Sequence, residues 1–292
     1  MSQDTAPRPA VKPSAVKPLL PGMRRLLYVA AVLVFLAGCQ LFIFSDRTAS
    51  YFAWTMRNPM VAAFLGAGYW ASVPFEALAA RQRIWANARI AVPTVLVFTL
   101  LTLAATLGHL HLFHLGSHFA ISTRFVTWAW LAIYITVPTL LVIIGIVQLR
   151  TPGADPPRSA PLPGWLCGLL AVQALGLLGL GVALFATSGQ GAPWWPWKLT
   201  PLVAQAIAAW LIGFGVAAAH ELAERDARRL VPASAGSVLL AVLQFIVLAR
   251  YAGRFEWSSA AGVIYLALLA TMLITGAVGL ALARSRPAAP AS

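Results

Sequence analysis

Acidic side chains are scarce in this sequence. Asp and Glu number 8 of 292 residues, against 21 Lys and Arg, and charged residues make up 10% of the chain. A soluble domain carries roughly a quarter, so a single water-facing globule is excluded. Cysteine is nearly absent as well, with Cys39 and Cys167 the two present. Both fall inside apolar runs, near opposite ends of their spans, which argues against a disulfide framework. Walker A, GxSxG, HExxH, CxxC and dinucleotide-binding patterns are all missing. No polar stretch is long enough to form a soluble catalytic domain, and the chain reads as a non-enzyme.

What is abundant is apolar sequence. Hydrophobic residues are 60% of the chain and mean hydropathy is +0.80. Eight runs approach or exceed the roughly 20 residues that cross a bilayer: 26–44, 59–80, 90–108, 125–149, 165–187, 201–220, 232–249 and 259–283. The expected fold is therefore all-α, a polytopic membrane protein with eight transmembrane helices. The text from Met23 to Cys39 also matches a lipoprotein signal. Apolar sequence continues past Cys39, so a membrane span is the expected reading and lipidation the lesser one.

The chain carries one pattern twice: an aromatic belt, a proline, a membrane-length run and a charged exit. Pro59 matches Pro201, Met60-Val61-Ala62 matches Leu202-Val203-Ala204, and Arg83 matches Arg225, all at one spacing. Slightly different spacings relate Ser45 to Ser188 and Ile133-Tyr134 to Ile264-Tyr265. This predicts two tandem four-helix halves in the same orientation, with a pseudo-twofold axis along the membrane normal. The expected divisions are an unfolded cytoplasmic tail (1–23), a first half (24–149), a Pro-rich cytoplasmic linker (150–164), a second half (165–284) and a short cytoplasmic tail (285–292).

Eight spans place both termini on one side. Arg47, Arg57, Arg124, Lys198, Arg250 and Arg254 fall on the other, leaving the remaining fifteen basic residues with the termini. The positive-inside rule makes the terminal side cytoplasmic. Trp54, Trp194, Trp195, Trp197 and Trp257 gather toward the outer interface, where amphipathic rings prefer to sit. Basic residues scattered over short loops suit lipid headgroups rather than nucleic acid. The bilayer is the expected partner. Small residues such as Gly168, Gly176, Gly179 and Gly181 also suit close helix packing, with a second copy or another membrane protein as alternatives.

Three features could carry chemistry. The loop HLHLFHLGSHF holds His109, His111, His114 and His118, and neutral imidazoles at helical spacing can bind Zn or Cu. Its bland alternative is an interfacial turn with Leu110, Leu112, Phe113 and Leu115 in lipid. Glu76 follows Pro74 inside the second span, and an intramembrane carboxylate is a functional candidate by default. Its alternative is simple pairing with Arg81 or Arg83. Gln40, Thr102, Thr106 and Gln205 form a polar seam that could line a substrate site or merely hydrogen-bond between helices. Gln173 and Gln244 lie deeper. His220-Glu221 ends the sixth span, where the repeat does not superpose Glu221 on Glu76.

The segments WPWKLTPLVAQAIAAWLIGFGVAAAHELAERD, AWTMRNPMVAAFLGAGYW and TLLTLAATLGHLHLFH are similar to those of a group of bacterial multi-spanning inner-membrane proteins carrying a W-P-W-x-L-T-P-L motif. The resemblance implies a bacterial inner-membrane location. It assigns no activity and no site residues. By analogy with duplicated bundles, the leading functional expectation is a small-molecule or lipid carrier or permease with its site between the halves. A metal-binding protein using the outer His loop and a non-catalytic scaffold subunit are the alternatives.

Overall fold

The computed structural model describes residues 15–188 and 194–285. Eight long apolar helices account for most of them: α1 (Pro21–Gly38), α2 (Pro59–Arg81), α3 (Ala91–Gly108), α4 (Ile121–Arg150), α5 (Gly164–Thr187), α6 (Pro201–Glu224), α7 (Ala227–Arg250) and α8 (Ala260–Ser285). The helix of α1 continues to Ile43 as a π-turn over Cys39–Ile43. Each of the eight is long and apolar enough to cross a membrane. The protein is an all-α, multi-pass membrane protein. In such a solvent each helix satisfies its own backbone groups, which is why no strand is needed. Among the described residues only isolated bridges occur.

Burial sorts the helices into layers. In α2 and α6, 72% of the apolar stretch is buried inside the protein, against 28–33% in α1, α4, α5 and α8. So α2 and α6 form the centre, α3 and α7 flank them, and the other four face lipid. Both central helices begin with a proline at the first turn, where its missing N–H costs nothing. Both are rich in Ala and Gly, which lets neighbours approach closely. At Gly66 the backbone of the π-turn at Leu41–Phe42 lies where a side chain would project.

The packing runs across the chain. Helix α1 lies on α2, and α5 on α6; α3 lies on α4, and α7 on α8; α2 lies on α7, and α6 on α3. Each contact thus has a counterpart four helices further on. Contact between α2 and α3 is slight, so the four spans of a half do not close on themselves. Hairpin α1–α2 docks against α7–α8, and α5–α6 against α3–α4.

Several segments differ from expectation. Within the N-terminal tail, residues 15–20 are bonded to neighbouring segments, and α1 already begins at Pro21. Lys17 N–H donates to the Ala154 carbonyl at 3.0 Å, and Leu19 N–H to the Arg83 carbonyl at 2.9 Å. Gln148, fully buried, fastens Pro18 and Leu20 with its amide at 2.9 and 2.8 Å. The segment 150–164 connects α4 to α5 and is pinned, because the Asp226 carboxylate accepts from Ser159 N–H at 2.5 Å. Helix α7 starts at Ala227 rather than Pro232. Asp226 caps it, accepting from Arg228 N–H at 2.9 Å. Pro232 lies inside the helix, beyond its first turn, where its missing N–H interrupts the backbone hydrogen-bond ladder.

Candidate functional site

Where α2 and α6 meet their flanking helices, the packing leaves a cavity of about 30 Å³, room for about two waters. Seven of the eight helices reach it, α4 being the exception. Ser72, Phe75 and Glu76 come from α2, Thr94, Val95 and Phe98 from α3, and Trp210, Phe214, Ala218 and Glu221 from α6. Val34, Gln173, Ser237 and Met272 complete the wall. Several of these residues stand at matched positions of the two halves. Phe75 and Ala217, Glu76 and Ala218, Thr94 and Gly236, and Val95 and Ser237 are separated by the same spacing as Pro59 and Pro201.

Glu76 is 2% exposed, and its Oε2 has no hydrogen-bond partner. The sequence alternative, pairing with Arg81 or Arg83, is not what the structure shows: neither forms an ion pair with it. Glu221, 7% exposed, faces the same cavity from α6. Sequence reasoning set these two apart because they are not equivalent in the repeat. Position 221 stands about one helical turn beyond Ala218, the residue spaced from Glu76 as Pro201 is from Pro59, and both reach the cavity. The rest of the wall is apolar, aromatic or neutral polar. Gln173 spans to α8, where its amide pairs with Thr275 Oγ1 at 3.3 Å.

One turn beyond Glu221, Glu224 meets a different environment. It is ion-paired to Arg89, and to Arg229 at 2.8 Å, while His220 Nε2 lies 3.2 Å away. Arg89 also reaches Asp155 at 2.5 Å. Arg158 Nε donates to the Glu224 carbonyl at 2.6 Å. This cluster ties the α4–α5 connection and the segment before α3 to the α6–α7 turn, about one helical turn from Glu221. Its members come from four separate places in the chain, and no local pattern announced them.

No family model, curated protein or solved structure matches this chain. The reading of the site therefore rests on its geometry.

The other predicted residues lie elsewhere. Gln205 donates to Ser188 Oγ at 3.0 Å and binds the end of α5. Thr106 accepts from Trp130 Nε1 at 3.0 Å and donates to the Thr102 carbonyl at 2.8 Å, tying α3 to α4. Thr102 borders a separate void of about 10 Å³ among Trp54, Tyr69, Phe98 and Trp130. Gln40 sits in the π-turn that ends α1. These four do not share the cavity with Glu76. Gln205 and Thr106 hold neighbouring elements together, whereas Thr102 Oγ1 is left without a hydrogen-bond partner among the described residues.

The His loop is held by protein rather than dipped into lipid at Phe113, which is buried against Trp54. His114 is 1% exposed and uses both ring nitrogens. Nδ1 pairs with the Phe52 carbonyl at 2.9 Å, and Nε2 with Thr55 Oγ1 at 2.9 Å. A carbonyl only accepts, so Nδ1 carries the proton and Nε2 accepts from Thr55. Burial, aided by His118, holds the His114 pKa below its ordinary value, outweighing the Phe52 hydrogen bond. His109 Nδ1 pairs with the Ala105 carbonyl at 3.0 Å, while His111 and His118 are exposed. Among the described residues no three His, Cys, Asp or Glu side chains are grouped to hold a metal ion.

Proposed function

We propose that the protein is a small-molecule carrier or permease of the bacterial cytoplasmic membrane. Its substrate site is the cavity that Glu76 and Glu221 share, and its arginine-rich face is cytoplasmic. The observation that carries this reading is Glu76, a buried carboxylate with an unpartnered oxygen facing a cavity between central helices. Ionisable groups in membrane spans are expensive and mark substrate or ion pathways. Matched positions around the cavity support a tandem duplication whose halves meet at the binding site. Tight packing around a small space fits an occluded state of an alternating-access cycle, with the Arg89–Glu224–Arg229 cluster as the closed cytoplasmic end.

The test is uptake into liposomes containing the purified protein. A mixture of small amines, amino acids, sugars and carboxylic acids is offered outside, and internal solutes are measured by mass spectrometry against protein-free liposomes. At least one solute should enter faster with protein present. Glu76→Gln or Gln173→Leu should slow that entry by about tenfold or more, as expected when a buried hydrogen-bonding group to a ligand is lost. Equal uptake in both kinds of liposome would end the carrier reading.

A further inference from the structure

We infer that the cavity binds a small monovalent cation in exchange for a proton, with Glu76 and Glu221 as the exchanging carboxylates. This rests on the carrier reading for its purpose, and on separate observations for its chemistry. Both carboxylates line one cavity, Glu76 with an oxygen that no protein group satisfies. Among the described residues no lysine, arginine or histidine lines it. An uncompensated charge at this depth is strongly disfavoured, so each carboxylate needs either a proton or a cation. The walls suit the cation. Phe75, Phe98, Trp210 and Phe214 surround the space, and aromatic faces attract positive charge. The cavity's volume admits an ion of ammonium or alkali-metal size without rearrangement.

Other titratable groups stand apart from the exchange. Among the described residues, helices α1, α3, α5, α7 and α8 contribute no titratable side chain to the wall. Tyr134 of α4 lies close enough to Glu76 to feel its charge, and its hydroxyl is hydrogen-bonded to Tyr69 at 2.6 Å. Beyond Glu221, the Glu224 carboxylate is already neutralised by Arg89 and Arg229. The exchange balances without any other reactant. The carboxyl O–H bond breaks, the proton passes to water, and the cation takes its place on the carboxylate, leaving the charge of the site unchanged.

Full-length protein in detergent and weak buffer provides the test. Ammonium, methylammonium, sodium and potassium chlorides are added separately, with bulky N-methylglucamine chloride as the ionic-strength control. A pH indicator reads proton release. At least one of the four should release about one proton per chain, following from linkage between cation and proton binding. The ammonium and alkali arms distinguish an amine from a metal ion as the cation. Dicyclohexylcarbodiimide, an apolar reagent for protonated carboxyls, should label Glu76 or Glu221, and the effective cation should suppress the label. Release should vanish in Glu76→Gln, and in Glu221→Gln the cation should bind about tenfold more weakly.

Release no greater than the control, or labelling that no cation suppresses, overturns the exchange. Those two readouts need only the wild-type chain, so a misfolded variant leaves the decision intact. Liposome uptake of a neutral solute, with no cation-linked proton release, would overturn the exchange and leave the carrier standing. Cation-linked release without uptake of any solute would keep the exchange and remove the carrier.

Discussion

At the level of single residues, the loop after α3 and the cavity between the helices make opposite use of polar groups. His114 is fully satisfied, and its two bonds staple the loop after α3 to the segment before α2. Removing them from a buried site by His114→Ala should cost about 1–3 kcal/mol, read as a lower unfolding temperature in detergent. The pH dependence has a definite sign. A histidine whose folded pKa lies below its unfolded value of about 6.5 binds more protons when unfolded. Its stabilisation is therefore complete above that pH and lost as pH falls through it. The wild-type unfolding temperature should drop between about pH 8 and about pH 5 more steeply than that of His114→Gln. Parallel curves would show that His114 is not the group responsible. Glu76, by contrast, is left unsatisfied, and unsatisfied buried groups call for an explanation outside stability.

Among the elements, α6 shows most clearly what could be read in advance and what could not. Its start at Pro201 and its apolar run were legible, because proline placement and apolar length are local properties, although the helix continues to Glu224 rather than ending at His220. The partition of its last turn was not. Glu221 and Glu224 are three residues apart, yet one faces the cavity and the other a set of arginines. That difference depends on Arg89, Arg229 and Asp155, which only folding brings together. The same holds for the described end of the N-terminal tail, where the proline-rich composition reads as unfolded while Gln148 of α4 holds Pro18 and Leu20. Since Glu224 is 5% exposed and Arg229 nearly as buried, removing the carboxylate strands buried positive charge. Glu224→Ala should destabilise by about 3–5 kcal/mol. Asp155 would keep Arg89 and Arg229, and Arg158 its bond to the residue 224 carbonyl, but the two arginines would lose the carboxylate that holds them together, so trypsin should cut after Arg150 and Arg158 sooner than in wild type. An unchanged cleavage rate would mean that the backbone bonds and Asp226 hold the segment without that carboxylate.

Across the whole molecule, the two-halved pattern expected from the sequence suggests two bundles side by side, but the packing interlocks the helices. The largest interface of α2 outside its own hairpin is with α7, and that of α6 outside its own hairpin is with α3. A half expressed alone would present to lipid a face of α2 or α6 built for close helix contact. Glu76 or Glu221 would lie on that face, and a lipid-exposed carboxylate costs at least about 2.5 kcal/mol at span depth. The chain divided between Gly153 and Ala154 tests this. Residues 1–153 and 154–292 produced separately should each fail to accumulate in membranes. Produced together they should assemble into a complex that co-purifies through a tag on one piece. The split also severs the backbone at the point where Ala154 pairs with Ala15 and Lys17, so assembly without a covalent link would show that the helix interfaces suffice. Stable accumulation of either half alone would mean that its four spans close into a bundle of their own. The cavity would then be a seam between two finished units rather than the core of one.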